Sequence, residues 1–229
     1  MTNTVQLWHG ELAEHSNLQQ YQQLLDTTEQ NQVNLIKNPL QQQRYIQSHG
    51  LLRLRLAEAL NEKPQTLKFN KSRHGKPYLL DYPDLAFNMS HSGQQLLIGI
   101  AHNCRLGVDI EVAKPRTNLA GLVNKCFADT EADYWRQLPE EQKTPEFYRF
   151  WTAKEAFVKA TGQGIALGLQ HCVLSVTEPR QLISVPDAWG AASLWRTQEL
   201  QLGASVYAAL VVDMPTCTVS INDCTTVMY

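Results

Sequence analysis

Four side chains near the middle of the chain have the types and spacing of a phosphate-handling centre. Gly107-Val108-Asp109-Ile110-Glu111 reads as a buried strand. Strand side chains repeat every two positions, so Asp109 and Glu111 point to one face. Further on, Trp151-Thr152-Ala153-Lys154-Glu155-Ala156-Phe157-Val158-Lys159 reads as a helix, on which Glu155 and Lys159, four apart, stand one above the other. Carboxylates placed side by side cost energy unless a cation or donors neutralise them. Magnesium takes oxygen ligands and keeps waters and substrate phosphates in its shell. With Glu155 as a third carboxylate, the set suits a divalent metal gripping a pyrophosphate, and the chemistry is phosphoryl transfer. Each pair alone has a plainer reading: a solvated strand edge for Asp109 and Glu111, an exposed ion pair for Glu155 and Lys159.

A second group could hold an anion. The extended run Ala86–Ser90 leads into His91-Ser92-Gly93, read as a loop whose hydroxyls, N–H groups and imidazole suit a phosphate. No G-x-S-x-G elbow is present, so His91 is not read as a triad base. Lys71, Arg73, His74 and Lys76 crowd a turn punctuated by Gly75 and Pro77, preceded by a helix bearing Arg44, Arg53 and Arg55. This is the densest positive cluster of the chain, either a solvated face or an anion pocket.

The elements that must position these groups follow from periodicity. Residues 40–60 have the spacing of an amphipathic helix, and 119–137 and 146–161 are helical in period. Phe150, Ala153, Phe157 and Ala160 form the core-facing stripe of the last, leaving Glu155 and Lys159 on the other side. Strands are expected at 66–70, 95–101, 106–112, 171–176, 192–197, 206–212 and 216–221. Helices followed by antiparallel strands, twice over, indicate an α+β fold. The composition shifts near Cys104–Arg105, dividing the chain into halves at 1–105 and 106–229.

At 229 residues the chain suffices for one large domain or two small ones. A net charge of −2 supplies no global basic field for nucleic acid. The first residues lack a signal-peptide pattern, and no apolar run approaches the roughly 20 residues of a membrane span. The five cysteines include no C-x-x-C pair, so free thiols and a reducing cytoplasm are expected.

Taken in order, G-K-P, F-N-M-S-H-S, G-V-D-I-E and W-T-A-K-E-A-F-V-K resemble the 4′-phosphopantetheinyl transferases of the Sfp type, in the holo-carrier-protein synthase superfamily. The likeness runs from Gly75 to about residue 170 and is looser elsewhere. It implies a monomer of two similar α+β halves, a pseudo-dimer with the active site in the cleft between them. It implies transfer of 4′-phosphopantetheine from coenzyme A to a serine of an apo acyl or peptidyl carrier protein, releasing adenosine 3′,5′-bisphosphate. Carried over by residue, it makes Asp109, Glu111 and Glu155 the magnesium ligands and sets Lys159 on the coenzyme A phosphates. Ser90 and His91 would bind the 3′-phosphate end, and Gly75, Lys76 and Pro77 would flank the adenine. Glu131 matches a further acidic position near the metal. Arg53 follows the family's L-L-R helix pattern, and His49 stands where many members carry an arginine, a loss that Arg44 or Lys71 could offset. The serine proton would go to Glu155, or to Glu131 through a water. The same carboxylates would serve a magnesium-dependent hydrolase of nucleotide pyrophosphates, and a carrier-binding module without chemistry is the remaining alternative.

Overall fold

A computed structural model describes residues 3–12, 18–114 and 118–224. In chain order the elements are β1 (Thr4–Glu11), α1 (Leu18–Gln22), α2 (Thr27–Leu35), α3 (Pro39–Leu60), β2 (Phe69–Lys71), β3 (Pro77–Leu79), β4 (Leu85–Ser92), β5 (Gln95–His102) and β6 (Leu106–Val112). There follow α4 (Leu119–Cys126), α5 (Asp129–Gln137), α6 (Glu140–Thr161), β7 (Val173–Leu174), β8 (Leu182–Ser184), β9 (Arg196–Gln201), β10 (Val206–Val212) and β11 (Thr218–Asp223). One sheet has the order β11-β1-β5-β4 and another the order β6-β10-β9; β2-β3 and β7-β8 are short ribbons.

The period-two pattern of the strands explains the layering. On β5, Leu96, Ile98 and Ile100 join Leu51, Leu52 and Leu56 of α3, whereas Leu97 and Ala101 face the other way. On β6 and β10, Leu106, Val108, Ile110, Ala208, Leu210 and Val212 meet Leu97, Val5 and Leu7 in a cluster shared by both sheets. The alternate residues of β10, Ala209 and Val211, pack against Phe147, Phe150 and Phe157 of α6. The layers therefore run α3, first sheet, second sheet, α6, and α3 and α6 are each 22 residues long. This is the expected α+β architecture.

One strand crosses the sequence midpoint. β11 pairs in parallel with β1, Thr4 opposite Thr218 through His9 opposite Asp223, so the last strand belongs to the first sheet. Arg55 Nη2 donates to the Cys224 carbonyl at 2.9 Å and fastens the end of that strand to α3.

Several expected elements differ in detail. The helix expected over 119–137 is two helices, because Phe127 is extended (ψ 151°) and the buried Glu131 takes the N–H of Ala128. The helix expected to begin at 146 begins at Glu140 and carries Pro145 in its second turn, at the loss of one intrahelical hydrogen bond. The strand expected at 171–176 shrinks to Val173–Leu174, and Ala192–Leu194 is a single 3₁₀ turn ahead of β9. β4 runs on through His91 to Ser92, so these residues belong to a strand; the hairpin turn comes at Gly93 (φ 63°), a left-handed conformation that glycine adopts without strain.

Candidate active site

The centre lies where β4 and β6 meet under the last turns of α6. Its closeness depends on Gly107. A Cβ built there would stand 1.9 Å from the Ala156 carbonyl oxygen and 2.4 Å from the Ala160 nitrogen, so only glycine lets α6 lie directly on β6. Two residues along, Asp109 is thereby brought under Lys159, whose Nζ donates to Asp109 Oδ1 at 2.6 Å and to Ser90 Oγ at 2.8 Å. Gly162 (φ 69°) then ends the helix, its N–H on the Val158 carbonyl.

Asp109 is buried, and its second oxygen, Oδ2, has no hydrogen-bond partner. Burial pushes its pKa up and Glu111 adds to that, against the opposing pull of Lys159 and Ser90. Burial likewise raises the pKa of Glu155, with the Asp109 and Glu111 charges acting in the same direction and Lys159 against them. The carboxylates thus feel one another electrostatically. Their ligating oxygens are nonetheless not gathered: among the described residues no three His, Cys, Asp or Glu side chains are grouped to hold a metal. Asp109 and Glu111 each turn instead to nearby donors, as adjacent like charges favour. Asp109 takes Lys159 and Ser90, and Glu111 Oε2 accepts from Ser92 Oγ at 2.7 Å.

Beside this group opens a cleft of about 290 Å³, lined by residues that include Gly75, Lys76, Pro77, Asn88, Glu155 and Lys159. The G-K-P turn, from the N-terminal half, and the α6 carboxylate and lysine, from the C-terminal half, therefore share one cavity. Lys76, however, spends its ammonium elsewhere. Its Nζ donates to the carbonyls of Leu106 (2.8 Å) and Ala160 (3.0 Å), and burial lowers its pKa to about 8. Its charge ties the turn to β6 and to the end of α6, so only its stem faces the cavity. Lys71 is exposed on β2.

His91 keeps an exposed edge. Burial of its inner side, then the charges of Lys159, His49 and Arg44, hold its pKa below the usual imidazole value, opposed by Glu111. This places Arg44 and His49 of α3 in the electrostatic neighbourhood of His91. His49 stacks on Tyr45 at 3.9 Å and pairs with Glu29 at 3.1 Å. Arg44 Nε is buried without a partner.

Two sequence expectations are corrected. Arg53 is fully buried and does not open to the cleft: it bonds Glu29 (2.6 Å), Asp26 (2.5 Å) and the carbonyls of Pro64 and Leu67. The capping box of α2, in which Asp26 and Glu29 cap each other's N–H groups, supplies the two carboxylates that draw it in. Glu131 is also fully buried. It accepts from Lys154 Nζ (2.7 Å) and from the backbone N–H groups of Ala128 (2.7 Å) and Leu174 (2.8 Å). Both its oxygens are engaged in joining α5, α6 and β7, and it lies fully buried inside that junction.

With the geometry in view, comparison with known proteins is direct. Residues 105–211 match the 4'-phosphopantetheinyl transferase superfamily, and residues 8–103 match the N-terminal part of 4'-phosphopantetheinyl transferases. The 4'-phosphopantetheinyl transferase HetI of a Nostoc species is 35% identical over 199 residues, 85% of this chain and 84% of HetI. The chain belongs to the Sfp-type 4'-phosphopantetheinyl transferases. A putative 4'-phosphopantetheinyl transferase of Synechocystis is 37% identical over 67% of this chain and 63% of its own length. The transferase Sfp of Bacillus subtilis is 31% identical over 53% of this chain and 54% of its own. A holo-[acyl-carrier-protein] synthase structure from Thermotoga maritima aligns over 48% of this chain and 62% of its own, at 15% identity and a TM-score of 0.39, too slight a likeness to define the fold.

For a member of this transferase family, what the sequence reading missed is a row on β4. Asn88, Ser90 and Ser92 share one face, and their side-chain oxygens take the N–H groups of Val108 (2.8 Å), Ile110 (3.4 Å) and Val112 (3.2 Å) on β6. The two strands belong to different sheets, so side chains replace the missing backbone ladder. The signal was present as N-x-S-x-S in an otherwise apolar strand, polar on alternate residues where burial was expected.

Proposed function

We propose that the protein transfers the 4′-phosphopantetheine arm of coenzyme A to a serine of an apo carrier protein, with magnesium, leaving adenosine 3′,5′-bisphosphate. The observation that carries this reading is the pairing of a buried, half-unsatisfied Asp109 with Lys159 at the wall of a cleft shared by both halves. A buried oxygen without a partner is costly, and an oxygen-seeking cation answers that cost. The donor set of Asp109, Glu111 and Glu155 consists of hard carboxylate oxygens, which suits magnesium in kind. When bound by them, magnesium would neutralise the pyrophosphate.

The chain's own residues do the rest. Lys159, released from Asp109, neutralises charge on the phosphate that leaves. The serine oxygen forms its bond to the pantetheine-side phosphorus as the pyrophosphate P–O bond breaks. The leaving group takes the electron pair, and the serine proton passes to Glu155. His91, exposed on β4 with Arg44 and His49 in its electrostatic neighbourhood, is the side suited to the 3′-phosphate, and Gly75 and Pro77 flank the adenine. Lys71 stands exposed beside that turn as a point charge. The halves 1–105 and 106–229 are read as donor side and catalytic side of a cytoplasmic monomer.

The test is the intact mass of apo acyl and peptidyl carrier proteins after incubation with the protein, coenzyme A and magnesium. A carrier heavier by one phosphopantetheine arm supports the reading. Adenosine bisphosphate released with no carrier modified replaces it with a pyrophosphate hydrolase. Chelation of divalent cations should abolish the mass gain.

A further inference from the structure

The three residues of the β4 row do different work, although each receives an N–H from β6. A hydroxyl has one proton to donate and two lone pairs. Ser90 is fully used: it donates to Asp109 Oδ1 at 2.9 Å and receives Lys159 Nζ and, at longer range, the Ile110 N–H. Ser92 accepts the Val112 N–H at 3.2 Å and aims its proton at Glu111 Oε2, 2.7 Å away. Asn88 Oδ1 receives the Val108 N–H at 2.8 Å and touches no carboxylate.

The register is regular. Residues 88, 90 and 92 meet 108, 110 and 112, so the strand of one half is measured against the strand of the other in steps of two. The backbone contact fixes where the Ser92 oxygen lies, because the Val112 N–H is itself fixed by β6. The one remaining degree of freedom, rotation of the hydroxyl, points the proton at Glu111. The free carboxylate has several rotamers open to it, and this bond selects one.

We propose that Ser92 is a positioning residue of the transfer site: anchored on the Val112 N–H, it sets the direction of the Glu111 carboxylate. The N-terminal half thereby presets a ligand that the C-terminal half carries. The proposal rests on the reading of Glu111 as a cation ligand. Groups one step behind a metal ligand commonly change affinity or activity about 10–100-fold when removed. The exposed edge of the row, where Ser92 is half-buried, also lets a substitution there be tolerated by the fold.

The experiment compares Ser92→Ala, Ser92→Thr and Asn88→Ala with the unaltered protein, first without any carrier or coenzyme A. Manganese(II) binding is read by the loss of its free-ion paramagnetic resonance signal, and urea midpoints are measured on the same samples. Ser92→Ala should bind manganese about tenfold more weakly while keeping most of its urea midpoint. Ser92→Thr, which retains the hydroxyl, should restore binding. Asn88→Ala, which strands an N–H and no carboxylate, should lower the midpoint more than it weakens manganese binding. In turnover, Ser92→Ala should raise the magnesium concentration for half-activity while leaving the KM for coenzyme A near its original value. Unaltered manganese binding in Ser92→Ala, or failure of Ser92→Thr to restore it, overturns the proposal. Absence of manganese binding by the unaltered protein overturns the ligand reading itself, and so separates the two.

Discussion

Two lysines five positions apart on α6 make ion pairs of nearly equal length with opposite meanings. Lys154 meets Glu131 at 2.7 Å with both side chains wholly buried, and its other protons go to the carbonyls of Leu169 and Cys172. Glu131 in turn receives two backbone N–H groups. All three ammonium protons of Lys154 and both oxygens of Glu131 are thus engaged. Lys159 meets Asp109 at 2.6 Å, but 28% of the lysine side chain is open to solvent, and Asp109 retains a buried oxygen with no partner. A saturated buried pair holds the helix down; an unsaturated one at a cleft wall is available to a ligand. Length alone does not distinguish them. The count of remaining valences does.

The comparison breaks most sharply at Lys154. Lys154→Ala leaves the Glu131 charge buried and unpaired, and should cost about 3–5 kcal/mol of unfolding free energy in urea titrations. The double change with Glu131→Gln should recover a good part of that loss. A cost within experimental error of zero would mean that the pair is not the helix anchor described here. Asp109→Ala should act on the other axis, removing about 2–4 kcal/mol of transition-state stabilisation in kcat with little loss of urea midpoint. Near-normal turnover in that variant would dissolve the contrast between the two lysines.

Gly107→Ala sharpens the comparison by moving α6 rather than either pair. The new methyl meets the Ala156 carbonyl, so the helix must shift, at about 1–3 kcal/mol of stability. Activity should fall further than stability, because Lys159 leaves Asp109. The smallest effect is a pH dependence at Lys76. Its folded-state pKa, lowered by burial to about 8 from the ordinary 10.5, means that the unfolded chain holds the proton longer. Stability should therefore rise as pH climbs from 8 towards 10.5, by about 1 kcal/mol between pH 7 and 9. Urea midpoints of Lys76→Met should lack that rise.

The legible parts of the molecule were those in which local pattern and tertiary role agree. The β6 strand and β10 were read from their apolar alternation with the same bounds that the structure has, and α3 and the core stripe of α6 followed from helical spacing. The shared face of the β6 carboxylates was legible because periodicity alone orients it, whereas the pairing of Lys159 with Asp109 rather than Glu155 needed the packing of α6 on β6. Arg53 and Glu131 were not. Each carries a charge that reads as functional, and its burial depends on partners far along the chain: Asp26 and Glu29 for the one, Lys154 and the Leu174 N–H for the other. Lys154 looked unremarkable beside Glu155 for the same reason. His91 and Ser92 were read as loop because small polar residues favour turns, whereas β6 accepts them as a strand edge whose side chains complete its hydrogen bonds. β1 went unread, since its best evidence is its neighbours on either side, β5 and β11.

The parallel pairing of β11 with β1 has a consequence for biosynthesis. β1 leaves the ribosome ahead of every other described element, yet one of its two edges finds its partner only when residues 218–223 have emerged. Until then the nascent first sheet presents an open edge, and open edges invite pairing with other chains. Vectorial synthesis thus delivers the two halves in order but closes them last to first. A ribosome-bound chain stalled before Thr218 should be the stage at which this protein most needs a chaperone.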